Sequence, residues 1–417
     1  MKKLVFILIV IKSLSVFGQQ KVTLNECYNL LEINYPLVKQ HQLLEMQNRL
    51  DNKIISNAKL PHFNFDAQAT YLSDVVEVPI PNSNITSLNN DQYRATFSVH
   101  QLIYNGGLTD ASLLVKNGQL KTKQKELDTH IYQLKKQINQ LYFSILLTQE
   151  SFKLLEAKKN QLQSKLQEVK SGIKYGVLLP SSDSVLEAEL LKIKQQFMEV
   201  QMRKASLIET LSSLIGYSLT DFTEFEVPLI KTELQNEINR PELALFQLKK
   251  EEIKNYETLI SKQNAVKISG FATGGYGNPG LNMLDNSFQT FYTLGVQLHW
   301  TVFDWNTNRK QQETVAIGKD IIENEREIFK LNTHIELDKQ QKEIEKISMF
   351  INSDAQIIEL RKKVLQTIDA QLKNGVVTAS AYITEFTNLF EAENTLLQHT
   401  IEIQLAKANY NTIKGER

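Results

Sequence analysis

The 417-residue chain has one cysteine, Cys27, which rules out an intrachain disulfide and a CxxC redox pair. Its context, "LNEC", lacks the small residues of a lipoprotein signal, and it reads as a buried helix residue. An excess of charge is missing too: 47 Lys plus Arg balance 47 Asp plus Glu, so no global basic surplus points to nucleic acid. Long hydrophobic runs are also lacking. The apolar stretch at residues 4–11 is far shorter than the roughly 20 residues of a spanning helix. With Lys2 and Lys3 before it and Val16 and Gly18 after it, it marks residues 1–18 as a secretory signal peptide cut after Gly18. Every later apolar run is broken by charge or amide within a few positions. If the exported chain enters a membrane, it does so by strands.

Strand signals are present. In "YTLGVQLHW", Tyr292, Leu294, Val296, Leu298 and Trp300 alternate with Thr293, Gly295, Gln297 and His299. "FNFDAQATY" sets Phe63, Phe65, Ala67, Ala69 and Tyr71 against Asn64, Asp66, Gln68 and Thr70, and "YRATFSV" alternates in the same way. The turn-rich "PIPNSNITSLNND" separates these two. A glycine-rich strand, "KISGFATGGYG", precedes "YTLGVQLHW" across "NPGLNMLDNS".

The chain is duplicated. "SVHQLIYNGG" is answered by "QLHWTVFDWN" 199 residues later, and "KYGVLLPSS" by "KNGVVTASA" at the same offset. Gly107 to Gly176 and Asn306 to Gly375 both span 69 steps, so this length is kept between divergent copies. Upstream, "NYPLVKQ" is answered by "NRPELAL" at an offset of 205. Within the conserved spans Leu113, Leu120, Leu127, Leu134 and Leu141 recur every seven residues; Thr148 interrupts, and Leu155, Leu162 and Val169 resume. Leu337, Ile344, Ile351, Ile358, Leu365 and Leu372 repeat the pattern in the second copy. Such spans reach roughly 100 Å if continuous, at 1.5 Å per residue. Each turns back at a glycine and returns through a second heptad series.

The organisation is therefore a first repeat at 19–215, with strands at 62–72 and 93–103 and a helical hairpin at 108–215. A linker follows at 216–240, and then a second repeat at 241–417, with strands at 267–277 and 291–302 and a hairpin at 306–414. Narrow-seamed helices of this length offer the apolar strand faces no compact layer to pack against. Tyr71, Tyr93, Tyr292 and Trp300 near the strand ends fit an interfacial aromatic girdle. Lipid on one face and a lumen on the other is the favoured division, with Arg94, Ser98, His100, Gln297 and His299 on the lumen side. In lipid no sheet edge stays unpaired, and four strands cannot close a barrel, so several chains contribute.

Taken in order, "VTLNECYNLLEINYPLVKQ", "AKLP", "LIYNGGLTDA", the two tips and the tandem repeat resemble the TolC-like outer-membrane efflux proteins over essentially the whole mature chain. The resemblance implies a mostly α fold with transmembrane β structure: a homotrimer with a twelve-stranded barrel continuous with a periplasmic α-helical barrel. It implies a location in the outer membrane of a Gram-negative bacterium, in contact with lipid, with helices extending into the periplasm. It also implies passive conduction from an inner-membrane transporter, in efflux or type I secretion, through a periplasmic membrane-fusion adaptor, and an equatorial band formed by the linker with the chain termini. The adaptor-docking tips map onto Gly176, Val177, Leu178, Gly375, Val376 and Val377. The family often closes this end with acidic residues. Here Ala381 and Thr384 stand near those positions, leaving Asp183, Glu187 and Glu385 as the candidate gate. The alternative is a non-conducting periplasmic coiled-coil structural or adaptor protein.

Other signals carry less. Gly275, Gly277 and Gly280 have GxGxxG spacing, but Pro279 and a polar loop lead to another strand instead of a helix, so no cofactor is expected. His100 and His299 hold corresponding places without a ligand partner nearby in sequence, so no metal is expected. Asn84, Ile85 and Thr86 match a glycosylation sequon in a poor context for it. No nucleophile, base and oxyanion arrangement is visible, and an enzyme is not expected.

Overall fold

A computed structural model describes residues 21–75, 87–232 and 237–416. The expected signal peptide and the sequon lie outside the described residues, as does part of the expected linker. In chain order the described elements are β1 (Lys21–Val22), α1 (Leu24–Asn34), α2 (Val38–Asn57), β2 (His62–Tyr71), β3 (Asp91–Tyr104), α3 (Leu108–Gln133), α4 (Lys135–Lys174) and α5 (Ser182–Ile215). They continue with β4 (Glu224–Phe225), α6 (Pro241–Ser261), β5 (Lys267–Asn278), β6 (Gln289–His299), α7 (Thr307–Lys373) and α8 (Ala379–Lys414). No described helix is long and apolar enough to cross a membrane. The described residues divide into two compact units, one within 1–40, 127–243 and 327–417, the other within 41–126 and 244–326, so each draws on both sequence copies.

The first unit is a helical assembly. Its core joins α1, α4, α5 and α8 through Cys27, Leu31, Ile138, Tyr142, Leu146, Leu211 and Ile401. Thr23 begins α1 with a reciprocal capping box to Glu26, which satisfies two amide donors that a helix start leaves open. Burial pushes the Cys27 thiol up to about 12, consistent with an inert core residue. The Tyr142 hydroxyl lies 2.9 Å from the Val22 carbonyl and 2.7 Å from that of Glu226, beside the parallel β1·β4 pair. A second core follows the heptads, with Leu155, Leu162, Val169, Leu186, Ile193, Leu365, Leu372, Tyr382 and Leu389 buried.

Thr148, which interrupts the leucine series, does not interrupt the helix. Its hydroxyl donates to the Ile145 carbonyl at 2.7 Å inside a continuous α4. The break comes at Leu134, whose amide bonds to Ile131 three residues back at 3.2 Å, a local tightening between α3 and α4. The corresponding span of the second copy, α7, runs 67 residues without a break.

The second unit holds a four-stranded antiparallel sheet in the order β2-β3-β5-β6. The β2·β3 and β5·β6 pairs are the hairpins of the two copies, and β3·β5 joins them. β2 and β6 are the outer strands, each hydrogen-bonded on one side only among the described residues.

Candidate functional site: the two-faced sheet and the hairpin tips

Because side chains alternate along every strand, the pairing register assigns each residue to a face. Phe65, Phe97 and Ala272 share one face with Leu294, and Val296 and Leu298 belong to it as well. Nothing among the described residues covers it: Phe65, Leu294 and Val296 are each 71% exposed. At the loop end of this face Phe288 stacks on Tyr276 and Tyr93, with centroids 5.4 and 6.3 Å away, an aromatic patch of the kind found at lipid headgroup level. Tyr71, Tyr292 and Trp300 are exposed as well.

The opposite face carries all five residues assigned to the lumen from the alternation, Arg94, Ser98, His100, Gln297 and His299. It also carries two aromatic rings that alternation alone places among polar residues without explanation. Phe271 pairs with Gly295 and Phe291 with Gly275. A Cβ on Gly295 would stand 2.5 Å from the Phe271 ring tip, and one on Gly275 would stand 2.5 Å from that of Phe291. The glycines are the hollows in which the rings lie. Arg94 sits 5.6 Å above the Phe291 ring, and His100 stacks on Phe271 at 6.3 Å. Gly275 and Gly277 therefore serve inside β5, and the GxGxxG spacing has no strand-to-helix turn to act in.

Register reveals one further juxtaposition. His62 stands directly opposite His100, and the equivalent pair in the second hairpin is Lys267 and His299. His62 and His100 are 38 positions apart in the chain, so only strand pairing could expose their proximity.

In the helical unit, both tips reverse through a left-handed glycine, Gly176 at φ +73° and Gly375 at φ +67°. The amides of Val177 and Leu178 donate to the Gly172 carbonyl at 2.9 and 3.3 Å, and that of Val376 to Gln371 at 2.9 Å. The tips abut, since a Cβ on Gly375 would lie 2.9 Å from the Val177 carbonyl oxygen. Of the six tip residues, Leu178 and Val377 pack onto the hairpin core, whereas Val177 and Val376 are exposed. Tyr175 and Leu179, absent from the sequence-based selection, are exposed beside them. They lie within "KYGVLLPSS" itself, on either side of the three residues selected, and the preceding heptads did not include them.

The three gate carboxylates have different surroundings. Asp183 accepts from the Ser184 amide at 2.7 Å. Glu187 meets Lys170 at 2.8 Å, and that contact, with a smaller contribution from Asp183, holds the lysine above its usual range. Glu385 belongs to the other hairpin, paired with Arg361 at 3.1 Å and accepting from Asn388 at 3.2 Å.

Two lysines that the heptad pattern did not single out are buried behind the tips. Lys158 contacts Glu189 at 3.1 Å with both side chains nearly enclosed, and lies 4.2 Å from the centre of the Phe390 ring. Lys165, seven residues on, forms an ion pair with Asp369 of α7 at 2.5 Å and another with Glu168, with Tyr382 beneath it. Lys373 completes the cluster at 3.1 Å from Asp369. Burial opposes ionisation of Asp369, but the hydrogen bonds from Lys165 and Lys373 outweigh it and hold the carboxyl below its usual range. The cluster links the helical hairpins of the two copies within one chain.

No family model and no curated protein matches the sequence. Solved structures do match in fold. Crystal structures of CusC, which concern conformational changes accompanying folding and transmembrane channel formation, align at a TM-score of 0.69 with 13% identity, over 96% of this chain and 93% of that one. The outer membrane protein VceC of Vibrio cholerae aligns at 0.66 with 13% identity, over 94% and 96%. The open-state MtrE outer membrane channel of Neisseria gonorrhoeae aligns at 0.66 with 13% identity, over 94% and 89%. The chain has the fold of these proteins.

Proposed function

We propose that this protein is an outer-membrane exit duct, in which three copies each contribute four strands to a closed twelve-stranded barrel above a periplasmic helical barrel. The observation that carries the reading is the sheet itself. Among the described residues one face is apolar and uncovered, the other holds the polar residues, and both outer strands lack a second partner. Lipid against the first face and a water-filled lumen behind the second satisfy both faces, and closure satisfies the edges. The fold shared with outer-membrane channels supports this reading, as does the sequence resemblance to TolC-like efflux proteins.

In this role the chain conducts passively, receiving substrates from an inner-membrane pump through a periplasmic adaptor. The tips at Gly176, Val177, Gly375 and Val376 form the docking end, with Leu178 and Val377 supporting them from within. Asp183, Glu187 and Glu385 supply the charge at the constriction, and residues 216–240 belong to an equatorial band. Envelope fractionation, protein-only mass by light scattering in detergent and planar-bilayer conductance test the proposal together. A trimeric outer-membrane species with discrete conductance is expected. A soluble periplasmic monomer or dimer would replace the duct with the non-conducting coiled-coil reading. Charge reversal at Glu385 or Asp183 should change single-channel conductance or cation preference, and unchanged values in both variants would remove them from the pore.

A further inference from the structure

The two strand hairpins have identical registers under the offsets that relate the sequence copies. His62 opposite His100 becomes Lys267 opposite His299 when β2 is advanced by 205 residues and β3 by 199. The chain therefore already contains one joint between copies of its hairpin, β3·β5, in which His100 faces Phe271, Ser98 faces Thr273 and Val99 faces Ala272. Its outer strands, β6 and β2, are the counterparts of β3 and β5.

We propose that β6 pairs antiparallel with β2 of a second copy of this chain in the register transposed from β3·β5. That register sets His299 opposite Asp66 of the partner subunit, Gln297 opposite Gln68 of the partner subunit and Leu298 opposite Ala67 of the partner subunit. The proposal rests on the duct reading for ring closure and adds the residues that meet at each joint.

Side-chain chemistry supports this register over its neighbours. A slip of one residue exchanges the faces and turns the Leu294, Val296 and Leu298 side toward the wrong medium. A slip of two keeps the faces but moves His299 to Asn64 or Gln68 of the partner subunit. Asp66 is the one carboxylate on the polar side of β2, and His299 is the one ionisable side chain on the polar side of β6. Among these three same-face registers, only the transposed one places imidazole opposite carboxylate. On the apolar face the same register sets Val296 and Leu298 against alanines, a large-against-small fit.

Paired cysteines test it in full-length protein oxidised in native membranes, with multimers read on a non-reducing gel. Within one chain β6 and β2 are three strand spacings apart, about 14 Å in all, so an intramolecular bond cannot form. Native Cys27 is fully buried. The in-register combinations are Gln297→Cys with Gln68→Cys and Leu298→Cys with Ala67→Cys. Successive antiparallel pairs alternate between wide and close spacing, so one of the two is the close type. The shifted controls are Gln297→Cys with Asp66→Cys or with Thr70→Cys, whose side chains would lie about 7–8 Å apart. A reducible dimer-to-trimer ladder from an in-register pair, roughly tenfold above the shifted pairs, is expected from that difference in spacing. A trimeric mass with the ladder strongest in a shifted pair, or absent from both in-register pairs, would overturn the register while leaving the duct standing. A monomeric mass would overturn both.

Discussion

Removing Glu189 should damage the helical unit more than removing Lys158, although the two form one ion pair. The Lys158 ammonium is almost fully enclosed, and Glu189 is its charged partner at 3.1 Å, with the Phe386 and Phe390 rings beside it. Glu189 also meets Lys192 at 3.4 Å, a residue whose side chain is 71% exposed. At an effective dielectric of about 20 the 3.1 Å pair is worth about 5 kcal/mol of gross attraction, most of it offset by desolvation. Glu189→Gln leaves a buried cation with ring faces that return about 1–2 kcal/mol, so the net loss should be about 3 kcal/mol. Lys158→Met keeps the apolar stem and leaves Glu189 paired with Lys192, for a loss of about 1 kcal/mol. Denaturant unfolding of the purified protein, followed by helical circular dichroism, measures both losses. Equal losses, or a larger one for Lys158→Met, would refute the assignment of Lys158 as the dependent partner.

Three further outcomes can be checked. Gly295→Ala should lower thermal stability by about 1–3 kcal/mol because its methyl meets the Phe271 ring, and Phe271→Leu in the same chain should recover part of the loss in a melting series. The Asp369 cluster sets an acid limit. Its carboxyl is depressed in the folded chain, so its contribution is complete above the ordinary value of 3.8 and is lost as pH falls through the lower folded value. Asp369→Asn should flatten the low-pH limb of stability against pH, and a parallel limb in the variant would contradict the linkage. Val177→Glu or Val376→Glu should leave the unfolding free energy within about 0.5 kcal/mol of native because both are exposed, yet weaken adaptor crosslinking in cells. Intact crosslinking in both would move docking off the tips.

Much of the architecture is local and is written locally. Seven-residue spacing marks α4, α5, α7 and α8 because two turns of helix bring the chain back to nearly the same face, and period-two alternation assigns Arg94, Ser98, His100, Gln297 and His299 to one side of a strand before any pairing is known. The tips were legible for the same reason, since a left-handed turn calls for glycine at 176 and 375. Duplication carried the most distant information: the offsets of 199 and 205 specify the equivalence of the two strand hairpins.

Local residue patterns set which residues form helix or strand and which side of each is apolar, because both follow from the geometry of neighbouring residues. Tertiary structure alone decided which strands meet and at what register, and hence that His62 faces His100 and that Phe271 and Phe291 lie over glycines. It also decided that Lys158 and Lys165 are buried. Seen in their own helix they are two cations three residues beyond a leucine. Their burial depends on Glu189, Asp369, Tyr382 and Phe390, brought from other helices, and no local period can encode contacts between segments so far apart in the chain.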